Sequence, residues 1–212
     1  MGSEQAHSRL IANAAKDALG PLGIRRKGRS RIWLDDQGWW LGLIEFQPSS
    51  WSKGSYLNVG VMWLWDELPH LAYDVGYRVS GFERYEDRAK FEISAQNLAK
   101  KAAQEAVQYR GLFASPSAAA DYYATLGEQV PGSLLPAGIA LGVVGRSGES
   151  RKRFDAFLAV NDDRDWALEK KDRARGLRVL LDDHRAFLTS VRGSIAKTRE
   201  LLRLPPLANW PF

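Results

Sequence analysis

Alternating apolar and polar positions between residues 24 and 65 predict the framework of this chain. Three runs repeat with a period of two, around Ile32 and Trp33, from Trp39 to Gln47, and from Ser55 to Trp65. Successive side chains of a strand point to opposite faces, so each run divides into two sides. Trp40, Ile44 and Phe46 share one side, with Gly42 between them, while Trp39, Leu41, Leu43, Glu45 and Gln47 share the other. In the third run, Leu57, Val59, Val61, Trp63 and Trp65 oppose Tyr56, Asn58, Gly60 and Met62. In the first, Arg29, Arg31 and Trp33 oppose Ser30, Ile32 and Leu34. The pattern predicts an antiparallel sheet with one apolar face that helices must cover. The other face mixes Arg29, Arg31, Glu45, Gln47, Tyr56 and Asn58 with large apolar groups.

Turn chemistry divides the runs. Asp35-Asp36-Gln37-Gly38 closes the first hairpin, because glycine takes positive φ without strain. Pro48 to Gly54 forms a longer connection carrying Trp51 and Lys53. A fourth strand follows, in which Tyr73, Val75, Tyr77 and Val79 alternate with Asp74, Gly76 and Arg78.

Helical periodicity governs the rest. Leu10, Ile11, Ala14, Ala15, Ala18 and Leu19 form a stripe over Ser3 to Leu19, stopped by Gly20-Pro21. Phe91, Ala95, Leu98, Ala102, Ala106 and Tyr109 mark a second amphipathic helix over 87–109. Ser115-Pro116 is an N-cap with proline at the first helical position. Helices are expected at about 116–127, 134–144 and 149–160, the middle one apolar nearly all round. A long helix capped by Asn161 to Asp165 carries Leu177, Leu180, Leu181, His184, Phe187, Leu188 and Val191, with a kink or break at Gly193-Ser194. The fold class expected is α+β: a sheet of about four antiparallel strands packed by an N-terminal and a second helix, then an all-helical C-terminal half. Residues 1–112 and 113–212 are the two regions, as separate domains or as parts of one.

The chain has 212 residues, 45% hydrophobic and 26% charged, a globular composition. It has no cysteine, so disulfides and thiolate chemistry play no part. No apolar run of membrane-spanning length and no signal-type leader is present, which points to a cytoplasmic protein without membrane partners. The net charge is +5, and residues 1–150 balance 16 Lys+Arg against 16 Asp+Glu. The excess therefore lies in residues 151–212, apart from a local cluster of five basic residues over 25–31.

Residues Leu19 to Arg29 (Leu-Gly-Pro-Leu-Gly-Ile-Arg-Arg-Lys-Gly-Arg), Gln47-x-Ser49-x-Trp51, Tyr56-x-Asn58-Val59-Gly60-Val61 and Tyr77-Arg78-Val79 occur in this order. This set resembles a bacterial family of unknown function numbered 4304, over roughly residues 5–82. Ile24 replaces the family's usual Phe, and Tyr77 replaces the Cys or His that often precedes its arginine. The family has no established activity, so the resemblance implies a fold and a region of interest rather than a reaction. Many of its members look like accessory or defence-associated proteins. Carried over, the matching polar positions are Lys27, Arg29, Gln47, Ser49, Trp51, Tyr56, Asn58 and Arg78.

Three functions are weighed on these residues. The first is a non-enzymatic binding domain. Lys27, Arg29, Glu45, Gln47, Ser49, Trp51, Tyr56, Asn58 and Arg78 would gather on a small anionic or amide-bearing ligand or on a partner protein. Arginine suits such groups because its planar fork donates two parallel hydrogen bonds. The bland counterpart is an internally paired polar network, with Arg29–Glu45 as a cross-strand pair. The second is nucleic-acid binding through Arg25, Arg26 and Arg31, through Arg151, Lys152 and Arg153, and through the basic helix Lys170 to Arg178. The third is an enzyme acting on a phosphate or amide substrate with Arg29, Glu45 and Tyr56 in its site. No catalytic residue, cofactor or metal is assigned. His7, His70 and His184 lack neighbours at metal spacing. Gly142 to Ser150 is neither a P-loop nor a KH loop with its flanking strands, and reads as an interhelical turn.

Overall fold

A computed structural model describes residues 3–127 and 130–212. The chain forms two compact units, one of Met1–Met62 with Ala72–Gly111 and the other of Trp63–Leu71 with Leu112–Phe212. The architecture is α+β, with an antiparallel sheet in the first part and a helical C-terminal half.

The first unit opens with α1 (Ser3–Leu19) and a 3₁₀ turn, Gly20–Leu22. The sheet comprises β1 (Arg25–Arg26), β2 (Ile32–Asp36), β3 (Trp40–Gln47), β4 (Gly54–Trp63) and β5 (Val75–Arg78), hydrogen-bonded in that order. A two-residue strand, β6 (Glu83–Arg84), pairs with the start of β4. The two-residue strands are too short to show a period, which is why the alternation predicts about four strands. Helix α2 (Arg88–Leu112) follows, burying Phe91, Ala95, Leu98, Ala99, Ala102, Ala106 and Tyr109.

Register fixes which side chains share a face. Ile32 opposes Glu45, Trp33 opposes Ile44 and Asp35 opposes Gly42. Trp33, Ile44, Phe46, Leu57, Val59 and Val61 are therefore core residues on one side, all buried. This register corrects one expectation. Arg31 and Trp33 belong to the apolar face, where Arg31 Nη2 donates to Ser8 Oγ of α1 at 2.7 Å. Arg29 precedes β2 in the turn between β1 and β2, and Ile32 takes the place opposite Glu45. The Arg29–Glu45 pair is therefore not formed.

A buried ion pair ties α2 to this face. Asp35 is only 3% exposed. Its carboxylate accepts from Arg110 Nε at 2.8 Å and Nη2 at 2.7 Å, and Nη2 also donates to the Leu22 carbonyl at 2.8 Å. The guanidinium pKa is raised, first by the hydrogen bond to Asp35.

The second unit contains α3 (Pro116–Thr125), α4 (Leu134–Val143), α5 (Ser147–Ala159), α6 (Asp165–Leu180) and α7 (His184–Leu201). Helix α4 is buried along its whole length, as its composition predicts. The expected long helix is two: the break lies at 181–183, where Asp183 accepts from the Ala186 amide and caps α7. Gly193-Ser194 continues α7 unbroken, because the Ser194 hydroxyl is turned inward and donates to Glu67 Oε1 at 2.7 Å. Trp63 and Trp65 stack at 4.7 Å, and Trp63 Nε1 donates to the Tyr123 hydroxyl.

Candidate functional site

The side of the sheet that carries Leu34, Leu43 and Met62 changes character along its length. Leu41, Leu43 and Met62 are fully buried at one end. Glu45, Gln47, Tyr56 and Asn58 are half-buried at the other, and Arg78 is exposed. Asn58 stands opposite Arg78 across β4 and β5. Antiparallel pairing brings the start of β4 and the ends of β3 and β5 together, so these five residues meet.

Their hydrogen bonds form a chain. Asn58 Nδ2 donates to Glu45 Oε2 at 3.0 Å and to Gln47 Oε1 at 2.9 Å. Arg78 Nη2 donates to Gln47 Oε1 at 2.6 Å, and Arg78 Nε donates to Asn58 Oδ1 at 3.3 Å. The guanidinium carbon lies 3.9 Å from the centre of the Tyr56 ring, whose other neighbour is Phe82 at 4.9 Å. Arg78 is thus held by two carboxamides and a ring, with no carboxylate partner among the described residues. Its Nη1, the Gln47 Nε2 donor and the Glu45 Oε1 acceptor have no hydrogen-bond partner among the described residues.

Tyr73 completes this surface, although the alternation groups it with Val75 and Val79 on the side opposite Arg78; it precedes β5, so the period of the strand does not govern it. A Cβ on Gly60 would lie 2.7 Å from Tyr73 Cδ1, and one on Gly76 would lie 3.2 Å from it. The two glycines are cross-strand partners and form a floor for the ring. Desolvation, then the charge of Glu45, pushes the Tyr73 phenol up, so it stays protonated and can donate. The sequence signal for its placement is glycine inside two strands, a mark of close approach. Gly60→Ala should cost about 3 kcal/mol, the upper end for overpacking. The added methyl would lie 2.3 Å from the Val75 carbonyl and 2.8 Å from Gly76 Cα, both backbone atoms that cannot turn aside. Urea denaturation of the variant checks this.

The remaining sequence candidates lie in two loops at the same end of the sheet, outside the hydrogen-bonded chain. Lys27 and Arg29 are exposed in the β1–β2 turn, which Arg26 closes by donating to the Ser30 carbonyl at 2.6 Å and the Arg29 carbonyl at 3.1 Å. Ser49 shapes the β3–β4 loop by accepting from the Trp51 amide at 3.1 Å. Trp51 at its tip is 93% exposed. The trio Arg29, Glu45 and Tyr56 considered for catalysis is not assembled, because Arg29 sits in the turn.

The other basic groups are largely matched where they stand. Arg151 pairs with Asp182 at 2.7 Å, and Arg153 is 9% exposed; Lys152 is exposed. On α6, Lys170 pairs with Asp66 at 2.7 Å, Arg173 with Asp66 at 3.4 Å, Arg175 with Asp172, and Arg178 with Asp155. Lys171 donates to the Val160 carbonyl at 2.6 Å. The C-terminal excess of charge therefore offers less free cation than its count suggests. By contrast, Arg25, Lys27, Arg29, Arg78 and Arg84 have no ion pair among the described residues.

Among the described residues, no three His, Cys, Asp or Glu groups gather at metal-binding range, and no helix is long and apolar enough to cross a membrane. No family model, no curated protein and no solved structure matches this chain.

Proposed function

We propose that this protein is a binding domain, and that the open half of the sheet bearing Glu45, Gln47, Tyr56, Asn58 and Arg78 takes a ligand that carries an anion beside an amide-like edge. One observation carries the reading. Arg78 is exposed and un-neutralised, yet oriented by Gln47, Asn58 and the Tyr56 ring. A guanidinium held in place loses less side-chain freedom when it meets an anion, so more of the interaction survives as affinity. The free donors of Arg78 and Gln47 suit an anion or a carbonyl, and Glu45 Oε1 suits an N–H.

The test is calorimetric titration with N-acetylated amino acids and nucleoside monophosphates, each of which presents an anion beside an amide or imide edge. Arg78→Ala should weaken binding at least tenfold, about 1.4 kcal/mol. Arg78→Lys should not restore it, because an ammonium cannot span two carboxamides and stack on Tyr56. Equal affinity of wild type and both variants would remove this face as the site.

A further inference from the structure

The geometry points to single-stranded nucleic acid as the ligand of this surface, an assignment that rests on the binding reading above and names its substrate class. Three strand ends and two loops supply it. The β1–β2 turn, the β3–β4 loop and the end of β5 all lie at one end of the sheet. That end carries Lys27 and Arg29 from the turn, Trp51 from the loop, and Arg78 from β5. Arg84 on β6 adjoins it through its pairing with Gly54. Of these cations, none has an ion pair among the described residues, and Lys27, Arg29, Arg78 and Arg84 are all exposed.

Two carboxylates stand close to this rim: Glu45, which accepts from Asn58, and Glu83, which accepts from Ser94 at 2.9 Å. They keep their charge, but Lys27, Arg29, Arg78 and Arg84 outnumber them, and the surplus of positive charge would draw a polyanion by phosphate contacts. Charge alone does not separate a single strand from a duplex. Trp51 does: at 93% exposed it is the most exposed large apolar side chain of those described. A flat ring flanked by unpaired cations is the pairing that single-stranded nucleic acids use, because a splayed base stacks on the ring while its phosphates meet the cations. A duplex keeps its bases stacked on one another and gains nothing from Trp51. The polar chain fits the same ligand. Arg78, Gln47 and Glu45 offer two donors and one acceptor, the complement of a nucleobase amide or imide edge.

The turn is also built to hold its charges out. Lys27 N–H donates to the Ile32 carbonyl at 2.9 Å, and the Ser30 hydroxyl donates to the Lys27 carbonyl at 2.7 Å. With Arg26 spent on the Ser30 and Arg29 carbonyls, the loop backbone is held, and the side chains of Lys27 and Arg29 make no hydrogen bond among the described residues.

The experiment titrates the full-length protein with 12-nucleotide homopolymers of U and dT, a 12-base-pair duplex, and UMP, following intrinsic tryptophan fluorescence and anisotropy. Single strands should bind at least tenfold more tightly than UMP and than the duplex. Three phosphate contacts, each adding about −0.7 to the slope of log K against log salt concentration, predict roughly 20-fold weakening from 50 to 200 mM salt. Trp51→Ala should abolish the fluorescence change and weaken binding about tenfold. The double variant K27E/R29E should weaken it further and flatten the salt dependence. All three positions are exposed, so the variants should keep the wild-type circular dichroism. UMP bound through Arg78 with no gain from the 12-mer would overturn the nucleic-acid assignment and leave the binding reading intact. Equal affinity for duplex and single strand, or binding unchanged by Trp51→Ala, would overturn it as well. No binding of any of these probes would overturn the nucleic-acid assignment, and no binding of the N-acetylated amino acids in addition would overturn both.

Discussion

Arg110→Met is expected to destabilise the sheet-bearing unit by about 3–5 kcal/mol, the cost of leaving a buried charge without its partner. Asp35 is 3% exposed, and Arg110 donates to both of its oxygens. Without Arg110 the carboxylate keeps only the Gln37 Nε2 donor at 2.7 Å. The Leu22 carbonyl loses its donor too, which loosens the turn that follows α1. Asp35→Leu combined with Arg110→Met should recover at least half of the loss, since a buried ion pair replaced by apolar groups is often neutral. Urea denaturation of both variants separates the two effects. If Arg110→Met and the double variant were equally unstable, lost packing would be the cause rather than the stranded charge.

Asp66→Ala should have an effect of similar size, about 3–5 kcal/mol, in the helical unit. Asp66 is buried and pairs with Lys170 and Arg173. Burial lowers the Arg173 pKa, and the charges of Asp66 and then Glu67 offset part of that fall. Removing Asp66 leaves a desolvated guanidinium that the Trp65 carbonyl and Glu67 cannot fully serve. Glu67 itself holds a left-handed backbone, φ 54°, which an L residue adopts only at a cost. Its carboxylate accepts from Ser194 and from Lys197 at 2.6 Å. Burial acts to raise its pKa, but those hydrogen bonds and the charges of Arg173 and Lys197 outweigh it and leave it lowered. A lowered carboxyl pKa contributes stability that is present above the ordinary glutamate value and is lost as pH falls through the folded value. The Glu67→Gln variant should therefore show a shallower loss of stability on acidification than the wild type, read from urea midpoints at neutral and acidic pH.

Much of the framework was legible because it is periodic. The stripes of α1 and α2 and the opposite faces of β3 and β4 follow from spacing alone. The open polar cluster was legible in the same way, since Glu45, Gln47, Tyr56 and Asn58 alternate with core residues. Arg31 and Trp33 were placed on the wrong side because a short run does not fix its own register. Only the pairing of Ile32 with Glu45 does so, and a slip of one residue exchanges the faces. Asp35 looked like a turn residue because its sequence neighbours form a turn; its partner Arg110 is 75 positions away. Gly193-Ser194 looked like a break, yet Ser194 serves Glu67 across a separation of 127 residues. Long-range polar pairs leave no local pattern, and they account for most of what the sequence concealed. Trp51 and Arg78 are different: their residue types are plain in the sequence, but only the topology brings the β3–β4 loop and the end of β5 to one end of the sheet.

The most direct measurement is a ¹⁵N side-chain spectrum of the protein titrated with an anionic ligand such as UMP or an N-acetylated amino acid. The account predicts that the Arg78 Nε, Asn58 Nδ2 and Gln47 Nε2 signals move together and saturate at one concentration, and that Arg78→Ala suppresses the movement of the other two. Movement confined to the Arg151–Arg153 or α6 signals, with these three unchanged, would contradict it.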